Sequence, residues 1–178
     1  MSELTSLAVT AFLVALLSRA AWHKGQAFAE TTGFAIGYAL VPSRLVPVIL
    51  RALIGAETLA VTLLLLPGTR AAGALLAAGL FLGYGALMMA ALLRGQRQIE
   101  CGCGGPPQIV SPLTIARNGA LAAFALAVAA LPAATVGSAG AVLALTAGLV
   151  AWAIYAVAEK LASHLPHIQA GRAGGDFA

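Results

Sequence analysis

Charge is what this chain has least of. Only 9% of its 178 residues are Asp, Glu, Lys or Arg, against 61% that are apolar. A soluble globular domain carries roughly 25% charged residues. A water-soluble fold this short has too little interior to hide so much apolar surface, so a soluble domain is excluded. The basic residues form no run and are not interleaved with aromatics, so the high pI does not point to nucleic acid. A glycine-rich nucleotide loop, a Ser-His-Asp set and a zinc-hydrolase motif are all missing. Glu3 stands where a signal peptide would carry its basic region, and no small-residue cleavage site follows. The first apolar stretch therefore reads as a retained span. Cysteine is almost absent: there are two, Cys101 and Cys103.

What the chain does have is long apolar runs. Five of them, at about 4–22, 46–66, 71–93, 112–131 and 138–161, each have the roughly 20 residues needed to cross a ~30 Å hydrocarbon core. In lipid the backbone must satisfy its own hydrogen bonds, so these runs are helices. The expected fold class is all-α, a polytopic bundle of about five transmembrane helices. The bundle covers 1–162 and a polar, loosely ordered tail covers 163–178. Two connectors, Pro67 to Arg70 and Pro132 to Gly137, are short enough for tight hairpins. The longer connector from His23 to Leu45 mixes Phe28, Phe34 and Tyr38 with Lys24, Glu30 and Arg44, the composition of an interfacial segment. His23, beside Trp22, reads as interfacial, and Trp152 and Tyr155 as packing or lipid-facing anchors.

Five spans put the termini on opposite sides. The side with the N-terminus and both hairpins holds one basic residue, Arg70. The other side holds nine: Arg19, Lys24, Arg44, Arg51, Arg94, Arg97, Arg117, Lys160 and Arg172. The positive-inside rule then sets the N-terminus outside, and the C-terminus and the cysteine connector at the cytoplasmic face.

Both cysteines sit in Cys101-Gly102-Cys103-Gly104-Gly105-Pro106-Pro107, too rich in Gly and Pro to be helix. A disulfide needs Cα atoms about 4.4–6.8 Å apart, which residues i and i+2 can meet. The ring is small, so the bond is strained and exchangeable, and it closes too short a loop to serve as a staple. Arg94 and Arg97 favour the thiolate and Glu100 opposes it. A redox-active dithiol, a two-thiolate metal site helped by His23, His164 or His167, and two merely tolerated cysteines all stay open at this point. No metal and no cofactor is assigned.

Glu57 lies near the middle of the second span, where a carboxylate costs about 2.5–3.5 kcal/mol or more. It is expected to face the interior, protonated or paired, with Arg19, Arg117, Asn118 and Tyr84 as candidate partners. Its role is structural glue or a proton relay. Arg117 and Asn118, opening the fourth span, snorkel, pair with Glu57 or position the cysteine connector. Gly79-x-x-x-Gly83 in the third span is expected to pack helices within the bundle, or else to form a seam with a second copy.

Taken in order, Arg19 and Lys24 after span one, Phe28, Tyr38 and Pro42 in the connector, Glu57 in span two, Cys101-Gly102-Cys103-Gly104-Gly105, and Arg117-Asn118 opening span four form a recognisable pattern. The chain resembles the methylamine utilisation protein MauE family, related to DoxX-type membrane proteins, over nearly its whole length. The resemblance implies a bacterial inner-membrane protein acting in maturation of the methylamine dehydrogenase β-subunit, which is periplasmic and rich in disulfides. It implies a thioredoxin-like partner of the MauD type, with Cys101 and Cys103 as the redox pair and Glu57, Arg117 and Asn118 as motif positions. The alternatives are a non-redox transporter or assembly chaperone, and a thiolate metal-handling protein. A periplasmic substrate and cysteines on the cytoplasmic side are reconciled either by a loop that re-enters the bundle or by a different number of spans.

Overall fold

A computed structural model describes residues 3–38, 40–95, 110–131 and 136–173, the side chains of Pro67 and of 164–173 excepted. Cys101 and Cys103, with Arg97 and Glu100, lie outside the described residues, as do the side chains of His164, His167 and Arg172. The chain forms α1 (Glu3–Gln26), α2 (Phe28–Gly37), α3 (Val46–Leu65), α4 (Arg70–Leu93), α5 (Pro112–Ala130) and α6 (Ser138–Ala173). Five of these helices are long and apolar enough to cross a bilayer; the short α2 is the exception.

Local chemistry sets the ends. Leu66 leaves the helical region before a 3-10 turn at Pro67–Thr69, and Thr69 Oγ1 donates to the Leu63 carbonyl at 3.0 Å. α4 stops at Arg94-Gly95, where Gly95 takes φ +75°, the left-handed geometry common just past a helix end. α5 opens on Ser111-Pro112-Leu113-Thr114, with the Ser111 side chain accepting from Thr114 N–H and Thr114 Oγ1 accepting from Ser111 N–H. That reciprocal cap, with proline at the first helical position, fixes where the chain re-enters the bundle.

α4 packs on α5 and α3, and α1 packs on α3, α5 and α6. The core is built from Leu13 and Leu17 of α1, Ala60 and Leu64 of α3, Ala74, Ala77 and Phe81 of α4, and Leu121, Ala125 and Val128 of α5. Alanines on facing helices let the backbones come close, which in lipid replaces the hydrophobic drive of a soluble core. Large apolar side chains point outward on every long helix, among them Leu59, Leu82, Phe124, Val150 and Ile154, as a lipid-facing surface requires.

The closest helix approaches are not at the expected glycines. A Cβ on Gly73 would stand 2.6 Å from Leu64 N, and one on Gly148 would collide with the Ala8 carbonyl oxygen. These two glycines set the α3–α4 and α1–α6 contacts. Gly79 and Gly83 face open space on the exposed side of α4, so they do not pack helices within the bundle. Spacing alone marked a small-residue stripe but not the face it occupies.

Two further differences matter for function. α1 does not end at Trp22 but continues to Gln26, which brings Lys24 into the helix and out of the connector. α6 runs to Ala173, into the stretch where a loosely ordered tail was expected. At the opposite end, Arg70 donates to Ser6 Oγ at 2.7 Å and to the Leu131 carbonyl at 2.5 Å. That ties together the start of α1, the start of α4 and the end of α5, as an antiparallel five-span bundle demands.

Candidate buried polar site

The polar centre of the molecule lies between α1, α3 and α4. Glu57 is fully buried and Lys24 is 2% exposed, with Lys24 Nζ donating to Glu57 Oε1 at 2.7 Å. Tyr84 of α4 donates its hydroxyl to the same oxygen at 2.7 Å. The Lys24 ammonium also stands 5.2 Å from the centre of the Tyr84 ring, within cation–π range. Glu57 Oε2 is buried without a hydrogen-bond partner among the described residues. One carboxylate oxygen thus carries both bonds and the other is left available.

Of the partners expected for Glu57, Tyr84 is found in place. Lys24 was not foreseen, because it was assigned to the connector. The signal was there: with α1 extended by one turn, Lys24 becomes a cation on a transmembrane helix, and such a cation needs an acid. Arg117 makes an ion pair with Glu159 of α6. Tyr155, one turn before Glu159, donates to the same carboxylate at 3.2 Å and packs edge-on against Phe12, the ring centres 5.6 Å apart. Asn118 is buried and donates to the Thr114 carbonyl at 2.8 Å, with Met88 Sδ at 3.9 Å. Glu159 was not singled out in the sequence, since it sits near the end of a long apolar run with Lys160 beside it.

A small cavity of about 30 Å³ connects the two polar groups, bounded by Glu57, Tyr84, Arg117, Asn118 and Glu159, with Arg19 on its wall. That is room for about one water. The site residues read from sequence thus converge within the described structure: Glu57, Arg117 and Asn118 border one cavity. Cys101 and Cys103 belong to the connector that leaves α4 after Arg94 and returns at Ser111, and they lie outside the described residues.

A larger cavity of about 150 Å³ lies on the other side of Lys24 and Tyr84, between α2, α3 and α4. Its walls are apolar apart from Lys24, Thr31 and the tyrosines. Tyr38, in the connector, has its phenol pushed up to about 12 by burial, so it stays a neutral hydroxyl at any physiological pH. Among the described residues, then, the site offers a buried acid–base pair, a phenol, a one-water cavity and an apolar chamber on its far side.

These features define a class: a multi-pass helical membrane protein with an ion pair sealed in its bundle. Comparison with known proteins narrows it. The family model described as "Methylamine utilisation protein MauE" matches residues 2–131. The chain is 38% identical over 167 residues to "Methylamine utilization protein MauE" of Paracoccus denitrificans, an alignment covering 86% of this chain and 85% of the relative. No solved structure matches significantly. The chain belongs to the MauE family of methylamine utilisation proteins.

Proposed function

We propose that this protein is an inner-membrane component that matures the methylamine dehydrogenase β-subunit by thiol–disulfide exchange. Cys101 and Cys103 form the exchanging pair, and a thioredoxin-like MauD-type protein is the soluble partner. Family membership over most of the chain carries the reading. It is supported by the buried acid–base cluster, which is the kind of group that marks proton traffic within a membrane. Exchange proceeds by attack of a partner's thiolate on the Cys101–Cys103 disulfide through a mixed disulfide, which leaves the partner oxidised and Cys101 and Cys103 as the dithiol. In this reading the N-terminus is periplasmic and the C-terminus cytoplasmic. Lys24 and Arg70 are both buried, but leaving them out of the charge balance preserves the imbalance. The five helices long and apolar enough to cross a bilayer support the span count on which this orientation depends.

A Cys103→Ser variant is expected to trap a partner as a mixed disulfide that reductant releases on a gel. Replacing both cysteines by Ser is expected to abolish β-subunit disulfide formation. Full maturation in that double variant overturns the redox reading. Labelling intact cells with a membrane-impermeant thiol reagent fixes the side on which the cysteines are reached. The sealed Lys24–Glu57 pair favours a second reading, a transporter or assembly chaperone without redox work. In that case both cysteines are dispensable and Glu57 is not.

A further inference from the structure

We infer that the apolar chamber between α2, α3 and α4 is a quinone site, with Lys24 at its floor hydrogen-bonding a ring carbonyl, and that the quinone takes the electrons of the dithiol. The inference rests on the redox reading above and names the co-substrate of that chemistry.

Size comes first. The chamber measures about 150 Å³, and a cavity of about that volume admits a benzene ring. Its sides are Phe34 of α2, Leu50 and Leu53 of α3, and Leu87 and Met88 of α4. Such walls accept an aromatic or quinoid ring and reject a polar metabolite.

Polarity narrows the ligand. Lys24 has three N–H donors, and Glu57 Oε1 takes one. Lys24 therefore keeps donors for an acceptor entering the chamber that it lines. An anion is a poor fit, because the charge of Lys24 is already balanced by Glu57 at 2.7 Å and a second negative group would face a buried carboxylate. A bare hydrocarbon is also a poor fit, because it would leave those donors unmet in an apolar enclosure. A neutral ring bearing carbonyl oxygens meets both conditions.

Topology agrees with the role. The chamber lies toward the end of the bundle where α1 and α4 finish and α3 and α5 begin. The connector carrying the dithiol joins α4 to α5 at that same end. The balance closes without another reactant: two thiols become one disulfide, losing two electrons and two protons, and the quinone gains both to become a hydroquinone. Lys24 polarises the carbonyl that receives the electrons, and Glu57, with its second oxygen unbonded, can hold a proton in transit.

The test uses the full chain in lipid nanodiscs and a short-tailed benzoquinone carrying a photoreactive azide. Labelling of wild-type protein is expected to saturate and to map to α2 and α3. Ala35→Trp, which fills the chamber from α2 and leaves both residues of the ion pair unchanged in sequence, is expected to weaken labelling roughly tenfold or more. Leu143→Trp on the lipid face of α6 is expected to leave it unchanged. Wild-type protein with reduced cysteines is expected to convert about one quinone per chain to hydroquinone, read by ultraviolet absorbance. The double Cys→Ser variant is expected to bind but not reduce it. Labelling that never saturates, that ignores Ala35→Trp, or that excess ring-free phospholipid displaces equally well overturns the site. Saturable binding without reduction by the dithiol overturns its role as electron acceptor. Failure of the redox reading itself shows separately, as β-subunit maturation that proceeds without the cysteines.

Discussion

Among the described residues two ion pairs join helices of the bundle, and they are built differently. Lys24–Glu57 joins α1 to α3 with both side chains at 2% exposure or less. Arg117–Glu159 joins α5 to α6 with exposures of 18% and 8%. The first is almost fully buried, and one of its carboxylate oxygens is left unbonded. The second borders the same small cavity as Glu57, is more exposed, and is shared with Tyr155. A sealed pair is costly to break and, because its charges are poorly hydrated, sensitive to any added group. A partly open pair can trade a lost partner for water. The first is the stronger candidate for chemistry and the second for positioning.

The sharpest way to break the comparison is to remove one member of the sealed pair. Lys24→Ala strands Glu57 in the bundle and is expected to cost about 3–5 kcal/mol, read as a fall in thermal stability after detergent extraction. Lys24→Met with Glu57→Leu removes both charges and is expected to recover most of that loss. β-Subunit maturation is expected to stay lost in the double variant. If maturation returns with stability, the pair is only a structural joint and the assignment of the site moves to the other pair.

Next in size is helix spacing. Gly73→Ala forces a methyl group against the Leu64 backbone, and Gly148→Ala does the same against Ala8. Backbone cannot swing aside as a side chain can, so each is expected to cost about 1–3 kcal/mol, measured by the same thermal assay. Gly148→Ala loosens α6 from α1 and so also disturbs Glu159. Gly73→Ala acts on α3–α4, the two helices that hold Glu57 and Tyr84. If the sealed pair is the functional one, Gly73→Ala is expected to lower maturation more than Gly148→Ala.

The spans were legible because apolar length is a direct physical requirement of a bilayer, and Glu57 was legible because a carboxylate at that depth stands out against it. Its partner was not, for a reason of one helical turn. Ending α1 at Trp22 turned Lys24 into a headgroup residue, and only the continuation to Gln26 carries its ammonium to Glu57. Glu159 was hidden by its neighbour Lys160, since adjacent opposite charges near a span end look like a solvated rim. The glycines show the same limit. Sequence marks Gly79 and Gly83 by their Gly-x-x-x-Gly spacing, while Gly73 and Gly148 sit in the more common Gly73-x-x-x-Ala77 and Ala144-x-x-x-Gly148 patterns and are singled out only by what their missing Cβ would strike. The cysteine pair stands out in the sequence as two cysteines one residue apart in a chain that has no others, while its role rests on the proposal above.

A smaller effect separates the two pairs again. Arg117→Gln removes the charge but keeps donors within reach of Glu159. Hydrogen bonds between helices in a bilayer average about 0.6 kcal/mol, and the pair is partly open, so a loss of about 1 kcal/mol is expected. The matching change in the sealed pair, Lys24→Gln, is expected to cost at least twice that, since a neutral amide leaves the buried carboxylate uncompensated. Equal losses in the two variants, measured side by side by thermal unfolding, would mean that water reaches Lys24–Glu57 as readily as Arg117–Glu159, which would undo the contrast between them.

The smallest expected effect tests the outer face of α4. Gly83→Ala adds a methyl group where nothing lies within 4 Å, and alanine is the better helix former. In a single bundle the variant is expected to be neutral or slightly more stable, by under about 1 kcal/mol. Gly73→Ala, ten residues earlier on the same helix but facing α3, is the paired control. If Gly83→Ala were as damaging as Gly73→Ala, the face carrying Gly79 and Gly83 would have to be packed against another helix, and since no helix among the described residues reaches it, a second molecule would be the source to test.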